Sequence, residues 1–413
     1  MTSREKVLKT LNFVQPDKVA VDFGSYHSSG IMAIAYNKLR NYLGLPKKLP
    51  KVYDIPQQLA IIDDDVLEQF GVDVIDMGPK GFCQDDSYWK PWVLPDGTDC
   101  LIPKWINMVK EGDNYTVAHD DGTPLAIQKK GMIYFEQIHF PLLENPEEKI
   151  DRLEDLFEYN MWSALLGFPK PWTYDKEGIE YLREGAKCLR EKESRAIVGN
   201  FGGSLFEIGH AFFKMDNFYY QLVTNPDLIN KYLDKLMEIY IRDLESYLKA
   251  VGPYIDVIGF SDDYGMQTGL QISKEMFRKF FKPRHSRLWH YAKELADVKT
   301  MLHSCGSIIE LIPDFVEAGL DIVNPVQINA KNMEPERLKK EYGRSIVFWG
   351  GGCDTQKVLP DATPKEIREH VLRNLEILSP GGGFVFHQVH NIMANVSPEN
   401  IVAMFDAVSE WNS

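Results

Sequence analysis

The stretch VKTMLHSCGS, residues 298–307, joins a strand-like run at 298–302 to a helix predicted to begin near Ser307. His303 and Cys305 stand two residues apart at this junction. Alternate side chains of an extended chain point the same way, so both residues can face one ligand. An imidazole and a thiolate are a ligand pair that suits zinc. Such a pair needs further ligands from other parts of the chain before it forms a metal site.

The composition narrows the class of protein. The 413 residues carry a net charge of −14, with 44% hydrophobic and 26% charged residues, which is ordinary for a globular protein. Without a basic block to offset phosphate repulsion, nucleic-acid binding is disfavoured. No apolar run of about 18 residues occurs, and no apolar signal core follows Met1. We therefore expect a cytoplasmic protein without a membrane span.

The cysteines are few and widely spaced. An odd count in a chain of this length makes a disulfide scaffold an unfavourable interpretation. Only Cys305 is distinguished by its neighbour, His303. The five cysteines are Cys83, Cys100, Cys188, Cys305 and Cys353.

Strand-like runs alternate with helical runs along most of the chain, which predicts a parallel sheet. Eight such strands favour a closed (β/α)8 TIM barrel, an α/β fold, over an open doubly wound sheet. Neither G-x-G-x-x-G after the first strand nor G-x-x-x-x-G-K-[ST] occurs, so an open nucleotide-binding sheet lacks its usual support. The predicted strands cover residues 18–24, 71–78, 196–201, 254–260, 298–302, 320–326, 345–349 and 384–389. Among the predicted helices are 4–14, 31–43, 57–70, 146–166, 177–193, 226–251 and 274–295.

One segment interrupts this alternation. Residues 80–143 contain the turn sequences PDGT (95–98), GDN (112–114) and DDGT (120–123) between short β-prone runs. Such turns predict a small antiparallel β insert, either a decoration or a lid or docking patch. The barrel domain would then consist of residues 1–79 and 144–413.

The chemistry of a (β/α)8 barrel lies at the carboxyl ends of its strands. Metal-capable side chains are concentrated at those positions, where His303 and Cys305 supply the first two candidate ligands. The third is either His390, after strand eight, or Cys353, after strand seven. Catalytic zinc takes three protein ligands and keeps one position open, and bound metal would hold Cys305 as thiolate.

Acidic and polar residues at the same strand ends are candidates for catalysis and substrate binding. Asp262 and Asp263 point to opposite faces if extended, so at most one enters the site while the other caps a helix or binds a backbone amide. Asp263 is the preferred residue to handle substrate or a proton. Glu207 begins a helix, where a carboxylate is stabilising in any case. His27 lies on a serine-rich loop and is either a ligand-binding or a solvated histidine. The candidates are Asp263, Glu207 and Asp262 for catalysis, and Tyr26, His27, Gln327 and Asn391 for substrate binding.

Several segments together resemble the uroporphyrinogen decarboxylase superfamily, and within it the corrinoid-dependent methyltransferase branch. They cover both ends of the chain and most of the predicted barrel. The segments are MTSREKVLKTLNFVQPDKVAVDFG (1–24), DDYGMQTGLQISKEMFRKFFKP (262–283), LHSCGSIIELIPDFVEAGLDIVNPVQ (302–327), FWGGGCDTQKVLP (348–360) and HNIMANVSPENI (390–401).

The resemblance implies a zinc site with one departure. Methyltransferases of this branch bind zinc through a His-x-Cys pair, matched by His303 and Cys305, and a later cysteine near the end of strand eight. That later position falls at His390 when the chains are aligned on SPEN (397–400). True uroporphyrinogen decarboxylases carry an arginine-rich loop after strand one, where this chain has FGSYH (23–27), so porphyrinogen decarboxylation is disfavoured.

The resemblance also implies a partner. No Asp-x-His-x-x-Gly cobalamin-ligation motif is present, so the cobalamin would be carried by a separate corrinoid protein. The expected reaction moves a methyl group from a small donor, foremost a methoxylated aromatic, to that cobalt, as in O-demethylases. The alternatives are methyl transfer from the corrinoid protein to a thiol or tetrahydrofolate, a decarboxylase or lyase, and a non-catalytic barrel with a structural metal.

Overall fold

The structure, a computed structural model, describes residues 1–78, 86–166 and 176–413. Its centre is one sheet of eight parallel strands. In chain order these are β1 (Ala20–Val21), β2 (Val74–Asp76), β3 (Ala196–Gly202), β4 (Val257–Ser261), β5 (Lys299–His303), β6 (Ile322–Asn324), β7 (Val347–Trp349) and β8 (Phe384–Phe386).

The sheet closes into a ring. Neighbouring strands from β2 to β8 pair in chain order, and β8 pairs with β1 through Val385 and Ala20. A parallel bridge between Asp22 and Val74 joins β1 to β2, and the Asp73 amide donates to the Val21 carbonyl at 2.8 Å. Each predicted strand overlaps an observed one, and the (β/α)8 TIM barrel predicted from the sequence is confirmed.

The barrel interior is an apolar cluster closed at one end by the first helix, Ser3–Leu11. Val7 and Leu11 of this helix belong to the interior cluster. Arg4 and Lys6 form ion pairs with Asp256 and Asp73, which lie just before β4 and β2. The helix therefore covers the amino-terminal ends of the strands and leaves their carboxyl ends available for a site. The strands contribute Ala20, Val74, Ala196, Val198, Val257, Met301, Ile322, Val347, Trp349 and Val385 to this cluster.

Helices and loops surround the barrel. The longest helix begins after Asn225, whose side chain accepts the Leu228 amide, and has proline in its first turn, as the sequence predicts. No helix in the described ranges is long and apolar enough to cross a membrane. The α-helices after the first are Ala33–Tyr42, Asp64–Gln69, Pro146–Lys149, Met161–Leu166, Lys176–Lys192, Glu207–Phe213, Met215–Thr224, Pro226–Val251, Lys274–Met276, Lys282–Leu295, Ile312–Glu317, Pro335–Tyr342, Val358–Asp361, Pro364–Leu378 and Pro398–Trp411.

The predicted helix at 57–70 is wrong in its first half. Leu59–Ala60 is a strand that pairs with Val52–Asp54, and only Asp64–Gln69 is helical. Gln58 adopts a φ of +56°, which breaks any helix at that point. Two predicted helices are also interrupted: Ile150–Tyr159 is a 3-10 segment within 146–166, and Phe277–Phe281 is a π-helical turn within 274–295.

Antiparallel strands occur inside the segment predicted as an insert. Trp89–Val93 pairs with Asp99–Pro103, and four further strands form a second small sheet. The predicted antiparallel β content is therefore confirmed, while the domain limits at 80 and 143 stay predictions. The four strands are Met108–Glu111, Asn114–Ala118, Pro124–Gln128 and Glu136–Gln137.

Candidate metal centre

The turn after β5 brings His303 and Cys305 together at the carboxyl end of the barrel. Gly306 adopts a φ of +82°, a conformation that favours glycine. A Cβ atom on Gly306 would lie 2.4 Å from the carbonyl carbon of Gly265, so no larger residue fits. Within this turn, Cys305 Sγ lies 3.5 Å from His303 Nε2.

His390, which follows β8, completes a set of three possible ligands that we call the metal triad: His303, Cys305 and His390. One ligand atom from each lies within 4.8 Å of the others. Zinc bonds of about 2.3 Å to sulfur and about 2.05 Å to nitrogen, at a tetrahedral angle, would separate those two atoms by about 3.6 Å. The 3.5 Å between Sγ and Nε2 fits that geometry. The described residues therefore suit a zinc ion with one ligand position left open.

Hydrogen bonds donated to neighbouring side-chain amide oxygens orient both imidazoles. The Asn324 Oδ1 atom lies 2.9 Å from His303 Nδ1, and Asn391 Oδ1 lies 2.6 Å from His390 Nδ1. An amide oxygen accepts only, so each histidine carries its proton on Nδ1 and keeps the Nε2 lone pair available. Fixing the tautomer in this way prepares a histidine for metal binding.

Burial favours the uncharged forms of His390 and Cys305. It lowers the pKa of His390 to about 4, with a further contribution from the nearby His303, so His390 is a neutral ligand at pH 7. Burial also raises the pKa of the Cys305 thiol well above 9.0, and the charges of Asp263 and Glu207 add to this. A bound cation would reverse this preference, because metal ligation stabilises thiolate.

Two carboxyl groups adjoin the triad. Asp263 Oδ1 accepts the Cys305 amide at 2.7 Å and lies 3.7 Å from His303 Nε2. Burial and the charges of Asp263 and Asp262 raise the pKa of Glu207 well above 4.5. The raised pKa therefore favours the protonated form of Glu207.

Asp262 has a different environment from Asp263. Its carboxylate is fully buried and accepts the amides of Leu205, Phe206 and Glu207 at 2.7 to 3.1 Å. It also lies 3.0 Å from His285 Nε2. This carboxylate caps the amino end of the helix Glu207–Phe213, whereas Asp263 faces the triad.

Tyr26 and His27 lie on the loop after β1. The Tyr26 ring stacks on His303 with centroids 5.4 Å apart, and its hydroxyl forms a short hydrogen bond with Ser261. His27 Nδ1 lies 2.8 Å from Asp54 Oδ2. Tyr26 is thus directly against the metal triad, and His27 is held beside it.

The remaining predicted residues divide into two groups. Gln327 Oε1 accepts the Gly306 amide at 2.7 Å and supports the turn that carries Cys305. Asn391 orients His390. Cys353 is fully buried, its thiol lies 4.0 Å from the Asp354 carbonyl oxygen, and it is not part of the metal triad. Of Cys83 nothing follows, because it lies outside the described residues.

Three functional candidates were missed at the sequence level. Asn324 is the one polar residue in the run IVNPV (322–326) at the end of strand six, which was a usable signal. Asp76 ends β2, and burial raises its pKa to about 7. Asp54 gave no signal, because the short strand Val52–Asp54 was not predicted at all.

Together, the closed barrel and a half-buried His/Cys/His cluster at the carboxyl ends of its strands define a barrel protein with a candidate metal site. Residues 156–411, more than half of the chain, match the model of the family described as Uroporphyrinogen decarboxylase (URO-D). The chain belongs to this family.

Individual relatives and structures agree with this family assignment. A uroporphyrinogen decarboxylase from Ruthia magnifica subsp. Calyptogena magnifica is 24% identical over 292 residues, covering 68% of this chain and 75% of the relative. Another, from Dichelobacter nodosus (strain VCS1703A), is 38% identical over 72 residues, covering 17% of this chain and 20% of the relative. A methyltransferase from Methanosarcina mazei has the same fold, with a TM-score of 0.61, 17% identity and full coverage of both chains.

Proposed function

We propose that this protein is a zinc-dependent methyltransferase that passes a methyl group from a small donor, foremost a methoxylated aromatic, to the cobalt of a separate corrinoid protein. The observation that carries the proposal is the metal triad, which supplies three ligand atoms within 4.8 Å of one another at the carboxyl end of the barrel. Such a set leaves room for one exchangeable ligand, as catalytic zinc requires. The fold shared with a methyltransferase from Methanosarcina mazei is compatible with this activity.

In the proposal, His303 and His390 bind zinc through Nε2, and Cys305 binds it as thiolate. Bound zinc would supply Lewis-acid polarisation of the heteroatom that carries the methyl group. One thiolate and two neutral imidazoles leave such a site with a charge of about +1, which favours polarisation of a neutral ether oxygen.

The surrounding residues prepare the site. Asp263 holds the Cys305 amide and lies close enough to His303 to bind a substrate donor group at the open side. Glu207, whose pKa is raised, offers a proton-bearing carboxyl rather than another negative charge. Tyr26, His27, Gln327 and Asn391 are proposed to shape the substrate site around the metal triad. Asp262, which the sequence also suggested for catalysis, has in the proposal only the role of a helix cap.

A direct assay tests the proposal. The zinc-loaded protein and free cob(I)alamin are combined, in separate reactions, with 4-methoxyphenol, methylamine or methanethiol. Methylcobalamin formation is followed by absorbance. We expect transfer from the ether, lost on zinc removal and in His303→Ala. Cys188→Ser, at an exposed cysteine on the helix Lys176–Lys192, is the matched thiol control and should retain the rate. No methylcobalamin from any donor would contradict the proposal.

A decarboxylase function is the second candidate, because the family and its curated relatives carry that name. Decarboxylation of a polycarboxylate calls for cationic side chains that hold the substrate carboxylates. The loop after β1 offers Ser25, Tyr26 and His27 instead of arginine. Release of CO2 from uroporphyrinogen, without methyl transfer in the assay above, would favour this second candidate.

A further inference from the structure

His27 and the buried Asp54 form a pair that the metal triad does not use. His27 Nδ1 lies 2.8 Å from Asp54 Oδ2, and the Asp54 side chain is fully buried. The Asp54 oxygens also accept the Gln57 amide at 2.9 Å and the Gln57 side-chain amide at 2.7 Å. A carboxylate held from several sides fixes both the ring orientation and the tautomer of the histidine. Nδ1 is therefore the nitrogen that faces Asp54, which leaves Nε2 for another partner.

This pair opens toward the metal triad. The His27 ring lies 5.7 Å from the Tyr26 ring, which in turn stacks on His303 at 5.4 Å. The His27 side chain is 28% exposed, so a ligand in the barrel mouth can reach it.

A second connection runs through hydrogen bonds. The path leads from His390 to Asn391 at 2.6 Å, then to Gln57 at 3.4 Å, to Asp54 at 2.7 Å and to His27 at 2.8 Å. One network therefore positions both a predicted zinc ligand and a second imidazole at the same end of the barrel. Amides and a carboxylate in series hold the two rings in a fixed relation.

The charges around His27 favour its protonated form. Burial lowers the pKa of His27, but the hydrogen bond to Asp54 and the charges of Asp54 and Asp76 outweigh it, so the pKa is raised above 6.5. The other titratable groups near the ring are Tyr26, Tyr53 and His390, and His390 is neutral at pH 7. A histidine in this setting is suited to donate a proton near neutral pH.

We propose that His27 is the general acid that protonates the heteroatom losing the methyl group, and that Asp54 is its positioning residue. The inference rests on the proposed function. The cob(I)alamin lone pair forms the new Co–C bond, and the C–O bond of the donor breaks with its electron pair on oxygen. The proton on His27 Nε2 passes to that oxygen, so the product leaves as a neutral phenol or alcohol and the ring becomes neutral.

This assignment predicts the substrate class. Methyl ethers release an anion that needs a proton, whereas sulfonium and quaternary ammonium donors release a neutral group that does not. The enzyme is therefore built for methyl ethers with basic leaving groups. Donors with acidic leaving groups depend less on the acid, because the anion departs readily without a proton.

A leaving-group series tests the inference. Rates with free cob(I)alamin are measured for 4-methoxyphenol and 4-nitroanisole in the zinc-loaded wild type and in His27→Gln and Asp54→Asn. We expect His27→Gln to lose about 100-fold or more with 4-methoxyphenol but less than about threefold with 4-nitroanisole. Activity should fall at high pH, where His27 loses its proton. In Asp54→Asn this fall should begin at a lower pH, because the variant lacks the carboxylate that raises the His27 pKa.

The controls separate the possible results. His290→Gln changes an exposed histidine on the helix Lys282–Leu295 and should behave like the wild type. Zinc content and circular dichroism establish that each variant is folded. If His27→Gln does not fold, Asp54→Asn replaces it, and we expect the same larger loss with 4-methoxyphenol than with 4-nitroanisole. Equal loss with both ethers, or none, would overturn the inference alone. Transfer from methylamine or methanethiol but from neither ether would also overturn the inference alone, whereas no transfer from any of these donors would overturn the proposed function and the inference with it.

Discussion

His303 Nδ1 lies 2.9 Å from Asn324 Oδ1, and the two residues are paired opposite each other in the register of β5 and β6. The same oxygen accepts the Ser28 hydroxyl at 2.8 Å, and the Asn324 side-chain nitrogen lies 3.0 Å from His387 Nε2. Asn324 is fully buried. The orientation of the predicted zinc ligand is therefore set by strand pairing within the barrel and not by a loop.

The first prediction concerns Asn324. Asn324→Ala removes the acceptor that fixes the His303 tautomer, and we expect zinc affinity to fall about 10- to 100-fold, as for other partners of metal-bound histidines. Asn324→Asp keeps an acceptor and should bind zinc more tightly than Asn324→Ala. Competition with a chromophoric chelator measures both.

Asn400→Ala is the matched control, because Asn400 is a buried asparagine that bonds the Leu359 and Ala362 carbonyls away from the triad. Its zinc affinity should equal that of the wild type. An unchanged zinc affinity in Asn324→Ala would show that the hydrogen bond between Asn324 and His303 does not contribute to zinc binding.

The second prediction concerns proton release. The pKa of the Cys305 thiol is raised and that of His390 is lowered to about 4, so at pH 7 the metal-free site holds a protonated thiol and a neutral imidazole. Zinc binding should then release about one proton from Cys305. Calorimetry in buffers of different ionisation enthalpy counts the protons. Release that persists in Cys305→Ser would mean that the proton comes from elsewhere.

The third prediction separates Asp262 from Asp263. Asp262→Asn disrupts a fully buried pair with His285, so we expect the free energy of unfolding to fall by about 3–5 kcal/mol. Hydrogen bonds, above all from His285, keep the pKa of Asp262 below 3.8 against the opposing effect of burial. Its stabilisation is therefore present at neutral pH and is lost as the pH falls through that lowered pKa.

Urea unfolding of Asp262→Asn beside Asp263→Asn provides the measurement. Replacing the half-buried Asp263 should lower the stability less, and the activity more, than replacing Asp262. A stable but inactive Asp262→Asn would instead assign Asp262 to catalysis.

The fourth prediction uses the raised pKa of Glu207. A carboxyl group whose pKa is higher in the folded state stabilises the protein at low pH, and this contribution is lost as the pH rises through the folded-state pKa. Glu207→Gln imitates the neutral acid. In the metal-free protein, the stability of this variant relative to the wild type should therefore increase as the pH rises from 4.5 through the raised folded-state pKa of Glu207. A difference that stays constant over that range would contradict protonation of Glu207.

The sequence was sufficient for the barrel because each buried strand is a short apolar run ended by glycine or polar residues. It also located His303 and Cys305, since alternation along a strand relates side chains that are near in sequence. His390 could only be offered beside Cys353 as a third ligand. The choice between them depends on the path of the chain after β7 and after β8, which local patterns do not encode.

The supporting residues depended on tertiary structure. Asn324 meets His303 only through the β5–β6 register, and Asp54 meets His27 only because Val52–Asp54 folds onto Leu59–Ala60. The second strand of that hairpin lies inside the predicted helix 57–70, since the apolar residues near 59–67 also fit a helical period. The sequence favoured Asp263 over Asp262 for the site without a structural reason, and the helix that follows β3 supplies one, because Asp262 caps it.

The most direct test of the account is zinc X-ray absorption combined with elemental analysis of the purified protein. We predict about one zinc per chain, coordinated by one sulfur, two imidazole nitrogens and one exchangeable light atom. The zinc should be lost in His303→Ala, Cys305→Ala and His390→Ala and kept in Cys353→Ala. Zinc that remains in His390→Ala, or that shows two sulfur ligands, would contradict the account.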